Sequence, residues 1–166
     1  MKELDCSNRG LTQLPKLPEG LKILHCYWNQ LTQLPGLPEG LEILDCNGNQ
    51  LNQLPELPRG LKALSCSGNG LIQLPKLPEG LKVLKCGSNN QLTQLPELPE
   101  GLEILSCSGN GLIQLPEAES IRDSVTPNES EAPSGLPKEL KELYCQWNQL
   151  IQLPKLPKGL KKLWCN

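Results

Sequence analysis

A unit of 20 residues recurs along most of this chain, and that period constrains the fold more than any other feature. The copy from Lys22 to Leu41 reads KILHCYWNQLTQLPGLPEGL, and the copy from Glu42 to Leu61 reads EILDCNGNQLNQLPELPRGL. One copy cannot bury its own leucines, whereas stacked copies share a continuous core. The sequence therefore predicts a solenoid of about seven and a half units, forming a single domain over residues 1–166.

The two halves of each unit favour different backbone conformations. Leu24 and Cys26 flank His25, which is the alternation of a strand with one buried face. Paired prolines such as Pro35 and Pro38 exclude a helix or a central strand and favour an extended, polyproline-like run. The predicted fold is thus a curved parallel β-sheet on a concave face, with extended prolyl segments on the convex face and no long helices.

Two kinds of turn residue join these halves. Asn29 follows three residues after the cysteine of its unit, where a buried amide can bond free backbone groups of a turn. Gly40 supplies a permissive turn before Leu41 opens the next strand. The fifth copy has one extra residue at Asn89-Asn90, which predicts a bulge or a widened turn after its strand.

The full motif, LxxLxCxxNxLTxLPxLPxGL, resembles a leucine-rich repeat. Its LPxLP half resembles the short LPX-type repeats of bacterial type III effectors of the YopM and IpaH kind. The resemblance covers nearly the whole chain and implies a protein-binding solenoid used by a bacterium against a host. This chain differs in carrying Cys where those repeats usually carry an aliphatic residue. It also has no counterpart of the IpaH ubiquitin-ligase domain, so that activity is not expected here.

Eight cysteines occupy the same point of their units: Cys6, Cys26, Cys46, Cys66, Cys86, Cys107, Cys145 and Cys165. We expect reduced thiols that pack in the core as small hydrophobic groups, with some disulfides or a metal as alternatives. No CxxC or CxxH pair provides zinc spacing. A reducing cytoplasm is the expected setting, or a host cytoplasm for an effector. The first strand pattern begins directly after Met1, so no signal peptide is expected.

Charge and hydropathy exclude several classes of partner. The formal net charge is −2 with no block of basic residues, which argues against nucleic acid. No run of 18 apolar residues exists, so no membrane span is expected. The glycines recur with the repeat instead of forming a phosphate loop, and we expect no cofactor and no metal.

One copy is interrupted by an insertion. Cys107 and Cys145 lie 38 residues apart instead of 20, so 18 residues are inserted near 118–135. The insert is rich in Glu, Ser and Pro, which is typical of a mobile surface loop. The alternative is a docking or modification site anchored by Ile121 and Val125.

Aromatic residues mark the candidate binding surface. The chain has no Phe, two Tyr and three Trp, and all five fall at outward positions in or just after strands. Small residues of the middle copies lie between the two aromatic groups, and Trp28 and Trp147 are the expected anchors, because exposed aromatics are enriched at binding hot spots. The candidate partner-binding residues are His25, Tyr27, Trp28, Asp45, Lys85, Tyr144, Trp147 and Trp164.

Catalysis is not expected. Asp5, His25 and Asp45 fall in one column, but neither nearby serine, Ser7 or Ser65, is marked as an activated nucleophile. The sequence favours a scaffold that binds a protein partner on its concave face. The alternatives are an assembly module that stacks through uncapped terminal strands, and an engineered or truncated repeat array. A monomer and an end-to-end assembly both remain open.

Overall fold

The computed structural model describes residues 2–89, 91–116 and 135–165. Every regular element in these ranges is a three-residue strand, and no helix occurs among them. The strands are β1 Glu3–Asp5, β2 Ile23–His25, β3 Ile43–Asp45, β4 Ala63–Ser65, β5 Val83–Lys85, β6 Ile104–Ser106, β7 Glu142–Tyr144 and β8 Lys162–Trp164.

The eight strands form one parallel sheet in the order of the sequence. Equivalent residues of successive units are directly paired, as in Leu4 with Leu24 and Leu24 with Leu44. The same register continues across the insertion, where Leu105 pairs with Leu143. The predicted solenoid with a parallel sheet on its concave face is therefore confirmed.

The core is a set of inward ladders of leucine and cysteine. The central leucine of β2 through β7 is fully buried, and so is the leucine that follows each buried asparagine in the second to sixth units. Leucines of the prolyl segments, such as Leu57 and Leu77, close the core from the convex side. The leucines and cysteines predicted to point inward thus form one continuous cluster.

A ladder of buried asparagines links neighbouring units. Nδ2 of Asn69 donates to the carbonyls of Cys46 and Cys66, both at 3.1 Å, and its Oδ1 accepts from the backbone N–H of Leu51 at 3.0 Å. Equivalent bonds are made by Asn29, Asn49 and other members of the column. Each amide replaces the backbone partners that the chain loses where it leaves the strand. The structural role predicted for the asparagines is confirmed.

The prolyl half of each unit is extended and ends in a tight turn. The N–H of Leu41 bonds the carbonyl of Pro38 at 3.0 Å, and the same turn recurs from unit to unit. Gly40 lies in this turn as expected, but its φ is not positive, so it does not use the freedom that only glycine has. The left-handed residues lie elsewhere: Gly10 is one, and the others lie two positions after a cysteine in the first seven units.

All eight cysteines are free thiols. Seven are buried, whereas Cys165 is half-exposed, which differs from the expectation that every cysteine would be covered. Burial raises the pKa of the Cys26 and Cys86 thiols to about 12.

Two features of the sequence lie outside the described residues: Asn90 of the predicted bulge and positions 118–134 of the insertion. No helix long and apolar enough to cross a bilayer occurs in the ranges that the structure describes.

Candidate functional site

The outward side chains of the strands form columns across the concave face, because the parallel register aligns equivalent residues. One column contains Ile23, Ile43, Ala63, Val83 and Ile104, all of them partly exposed. A second column passes through the third residue of each strand, from Asp5 and His25 to Tyr144 and Trp164. The predicted site residues His25, Asp45, Lys85, Tyr144 and Trp164 all lie in this second column.

A third column follows the strands and is left-handed throughout. Its members are Asn8, Trp28, Gly48, Gly68, Ser88, Gly109 and Trp147, with φ between 52° and 67°. In the second to seventh units the chain turns at this position so that the next residue, an asparagine, joins the asparagine ladder. Glycine adopts this conformation at no steric cost, whereas a bulky side chain is strained there. Trp28 and Trp147 therefore occupy positions that three other units give to glycine.

The N-terminal aromatic group is a connected cluster. The ring of His25 lies edge-on to Tyr27 with centroids 6.4 Å apart, and Tyr27 lies edge-on to Trp28 at 6.0 Å. The indole of Trp28 extends over Gly48 of the next unit, where a Cβ atom would collide with the ring. Although partly supported in this way, the Trp28 side chain remains 66% exposed.

The C-terminal aromatic group surrounds β7 and β8. Tyr144 pairs directly with Trp164 in the sheet, and its hydroxyl donates to Glu142 at 2.9 Å. Lys162 bonds the other oxygen of Glu142 at 2.8 Å. Trp147 is 77% exposed and Trp164 is 59% exposed. The structure thus places Tyr144, Trp147 and Trp164 at one end of the concave face, with the two tryptophans largely exposed and Tyr144 partly buried.

Asp45 and Lys85 lie between the two aromatic groups. Asp45 accepts a hydrogen bond from the backbone N–H of Asn47 at 3.2 Å, which places the carboxylate in a local turn. Lys85 is exposed at the centre of the face. The side chains around them are small, as in Ser65, Gly68 and Ser106. The structure therefore does not gather all eight predicted residues at one point, but distributes them along a face with aromatic groups at both ends.

The histidine column has no catalytic arrangement among the described residues. Asp5 accepts from the backbone N–H of Ser7 at 2.9 Å, and this bond lowers the pKa of the carboxyl. The acidic group near His25 Nε2 is Glu3, at 4.0 Å. Neither Ser7 Oγ nor His25 Nδ1 has a hydrogen-bond partner, so they do not form a nucleophile–base pair. Within the described ranges no group of three potential metal ligands occurs.

Sequence reasoning missed a ladder of charges at the start of the strands. Glu42 lies between Lys22 at 3.0 Å and Lys62 at 2.8 Å, and these lysines lower the pKa of its carboxyl to about 2. Glu103 is held in the same way between Lys82 and Lys141, which lowers its pKa as well. The signal was present in the sequence, because the position before each strand is Lys or Glu in every unit: Lys2, Lys22, Glu42, Lys62, Lys82, Glu103, Lys141 and Lys161.

A second missed feature is a group of exposed isoleucines beside the turns. Ile72, Ile113 and Ile151 occupy the position after the first leucine of the prolyl half and are all exposed. The N–H of Ile151 bonds the carbonyl of Ile113 at 3.1 Å, so these two are direct neighbours. The equivalent residues in other units are Thr or Asn. The repeat pattern therefore did not mark this position as apolar.

Comparison with solved structures identifies the class. A Shigella effector LRR domain is 32% identical to this chain and superimposes with a TM-score of 0.73, over 90% of this chain and 70% of that domain. The chain therefore belongs to the leucine-rich-repeat family, as the repeat motif indicated. Neither a protein-family model nor a curated protein matches the chain.

Within that class the chain is similar to YopM. The leucine-rich effector protein YopM from Yersinia pestis is 34% identical with a TM-score of 0.78, over 98% of this chain and 42% of that one. YopM from Yersinia enterocolitica WA-314 is 26% identical with a TM-score of 0.52, over 100% of this chain and 51% of that one. The chain thus spans about half the length of the YopM structures that it matches.

Proposed function

We propose that this protein is an interaction scaffold that binds a protein partner on its concave face, with Trp28 and Trp147 as anchors. The observation that carries the proposal is the left-handed backbone at both tryptophans, where three other units have glycine and two have the small residues Asn8 and Ser88. A bulky residue in this conformation costs about 1–2 kcal/mol. The two rings are also largely exposed, so folding gains little from them. Contact with a partner explains a cost that the folded chain does not recover by itself.

The spacing of the two aromatic groups supports the same proposal. Trp28 and Trp147 lie five strands apart, which corresponds to roughly 24 Å at the usual strand spacing. A standard protein interface buries about 800 Å² on each partner, a patch of comparable width. The small residues between the groups leave the centre of the face open to a partner that rests on both. The other predicted contact residues along this path are His25, Tyr27, Asp45, Lys85 and Tyr144, and Trp164 lies one strand beyond it on β8.

We further propose that the partner belongs to a host cell. The similarity to a Shigella effector LRR domain and to YopM supports a role as a bacterial effector in the host cytoplasm. Free, buried thiols fit a reducing compartment. We assign no catalytic activity to the chain, because Asp5 and Asp45 of the concave face are held in local turns and Glu42 in ion pairs.

The proposal is tested by affinity capture from a host-cell lysate with three baits. These are the native chain, the double variant Trp28→Ala/Trp147→Ala, and a control variant at exposed Lys76 on the prolyl face, Lys76→Ala. We expect one set of proteins on the native and Lys76→Ala baits and its loss from the double variant. Retention of the same proteins on all three baits would contradict the proposal, provided that the variants melt like the native chain.

A second candidate function is assembly end to end. Strand β8 leaves Leu163 and Trp164 exposed, and a second copy of the chain would cover them. Light scattering during size exclusion separates the two candidates. A mass that increases with concentration and is reduced by Leu163→Lys supports stacking, whereas a monomer at all concentrations eliminates it.

A further inference from the structure

We infer that the concave face accepts an acidic amphipathic helix, laid across the strands along the apolar column. This inference deepens the proposed function and rests on it, because it names the kind of partner segment that the same face would bind. It is carried by three independent features: the apolar column itself, the spacing of its members, and the lysines around its centre.

The apolar column is continuous and accessible. Ile23, Ile43, Ala63, Val83 and Ile104 are paired in register over five adjacent strands, and each remains partly exposed. Four steps between strands span roughly 19 Å. A contiguous apolar strip on a soluble domain is typical of an interaction surface. The strip ends at Glu3 on one side and at Glu142 on the other, so its length is defined by the sequence.

The spacing of the strip favours a helix over an extended chain. Its residues recur about every 4.8 Å, the distance between neighbouring strands. A helix presents one apolar residue per turn of about 5.4 Å, whereas an extended chain presents one about every 6.6 Å. Over four steps the accumulated mismatch is about 2.4 Å for the helix and about 7 Å for the strand. A helix of about 13 residues therefore matches the strip along its length.

The charges around the strip select an acidic partner at its centre. Lys62, Lys82 and Lys85 lie beside Ala63 and Val83. Neither β4, β5 nor the residue before either strand carries a carboxylate. Lys62 forms an ion pair with Glu42. Lys82 donates a hydrogen bond to the carbonyl of Gly101 at 3.0 Å, and its Nζ lies 3.7 Å from the carboxylate of Glu103.

Carboxylates occur on either side of this basic centre. They are Glu42 and Asp45 in the third unit, Glu103 in the sixth and Glu142 in the seventh. Glu42 and Glu103 each have two lysine neighbours, and the charge of Lys85 acts on Glu142. Charge complementarity therefore places acidic residues near the middle of the bound helix and neutral ones at its ends.

The test uses a synthetic helical peptide of about 15 residues with leucines on one face and glutamates beside them at its centre. A twin peptide carries lysine in place of each glutamate. Titrations are made with the full chain and with Lys85→Glu, Ala63→Asp and the prolyl-face control Lys76→Glu. We expect the acidic peptide to bind at least tenfold more tightly than its twin, and to lose at least tenfold with Lys85→Glu and Ala63→Asp. The Lys76→Glu control should retain full affinity.

The outcomes separate this inference from the proposed function. Equal binding of the two peptides, or full affinity of Lys85→Glu for the acidic peptide, would contradict the inference that the face binds an acidic helix. The proposed function would then stand if captured partners still depend on Trp28 and Trp147. If Ala63→Asp fails to melt like the native chain, Lys85→Glu at an exposed position decides the result alone. If binding of a captured partner depends neither on the tryptophans nor on Lys85, both the acidic-helix inference and the proposed function are wrong.

Discussion

The indole ring of Trp28 lies over Gly48. A Cβ atom at that glycine would collide with Cδ1 of the ring and would lie 3.0 Å from Nε1. Gly48 itself is left-handed, with a φ of 60°. The glycine thus satisfies two conditions at once: a turn that strains other residues, and space for the aromatic ring of the preceding unit.

We expect Gly48→Ala to be more destabilising than the same change at Gly68. Gly68 has a φ of 66° but meets only Gly48 backbone atoms at 3.5 Å or more, so its substitution carries the left-handed cost alone, about 1 kcal/mol. The alanine at position 48 adds overpacking of about 1–3 kcal/mol. Urea unfolding of both variants measures the difference, which should shrink in a Trp28→Ala background. Equal destabilisation at both glycines would show that the ring does not cover Gly48 in solution.

Asn69→Ala should reduce the free energy of unfolding by about 1–3 kcal/mol, because it leaves buried backbone groups without partners. The amide of Asn69 serves the carbonyls of Cys46 and Cys66 and the N–H of Leu51. The matched control is Asn52→Ala at an exposed position, which should change stability by less than about 0.5 kcal/mol. If denaturant melts of the two variants coincide, the asparagine ladder does not hold the turns.

The thiols should differ sharply in reactivity. Burial raises the pKa of Cys26 and Cys86 to about 12 and that of Cys66 well above its usual range, so little thiolate forms at neutral pH. Cys165 is half-exposed and should react first with a maleimide. Mass spectrometry over time should show one fast label on the folded chain and eight labels in denaturant. Rapid native labelling of most cysteines would contradict the buried ladder.

Much of this fold was predictable, because the repeat period determines the register. Once Leu24 aligns with Leu44, the columns, the inward cysteines and the asparagine turns follow. The conformation of Trp28 was not predicted, although glycines at positions 48, 68 and 109 are a signal for a left-handed residue there. The ion pairs of Glu42 were missed because they join three units at a position outside the strands, where alternation gives no guidance.

Acid should destabilise the fold through these ion pairs. The folded pKa of Glu42 is about 2, below its ordinary value of 4.5, and that of Glu103 is lowered too. A depressed carboxyl pKa contributes stability above pH 4.5 that is lost as pH falls toward 2. The melting temperature should therefore decrease over this window, and less steeply in Glu42→Gln than in the exposed control Glu56→Gln. Because the pairs are exposed, high salt should weaken the difference. Identical pH profiles for the two variants would contradict the assignment.

We propose that the concave face binds a protein through its two left-handed tryptophans. The most direct measurement is a calorimetric titration of the captured partner with the native chain, Trp28→Ala, Trp147→Ala and the prolyl-face control Lys76→Ala. Each tryptophan variant should melt near the native temperature, because the exposed ring contributes little to the core. Each should also bind at least about fivefold more weakly, corresponding to more than about 1 kcal/mol, while the control binds normally. Full affinity of both tryptophan variants, with loss of binding in Lys76→Ala, would place the partner on the convex side and contradict binding at the concave face.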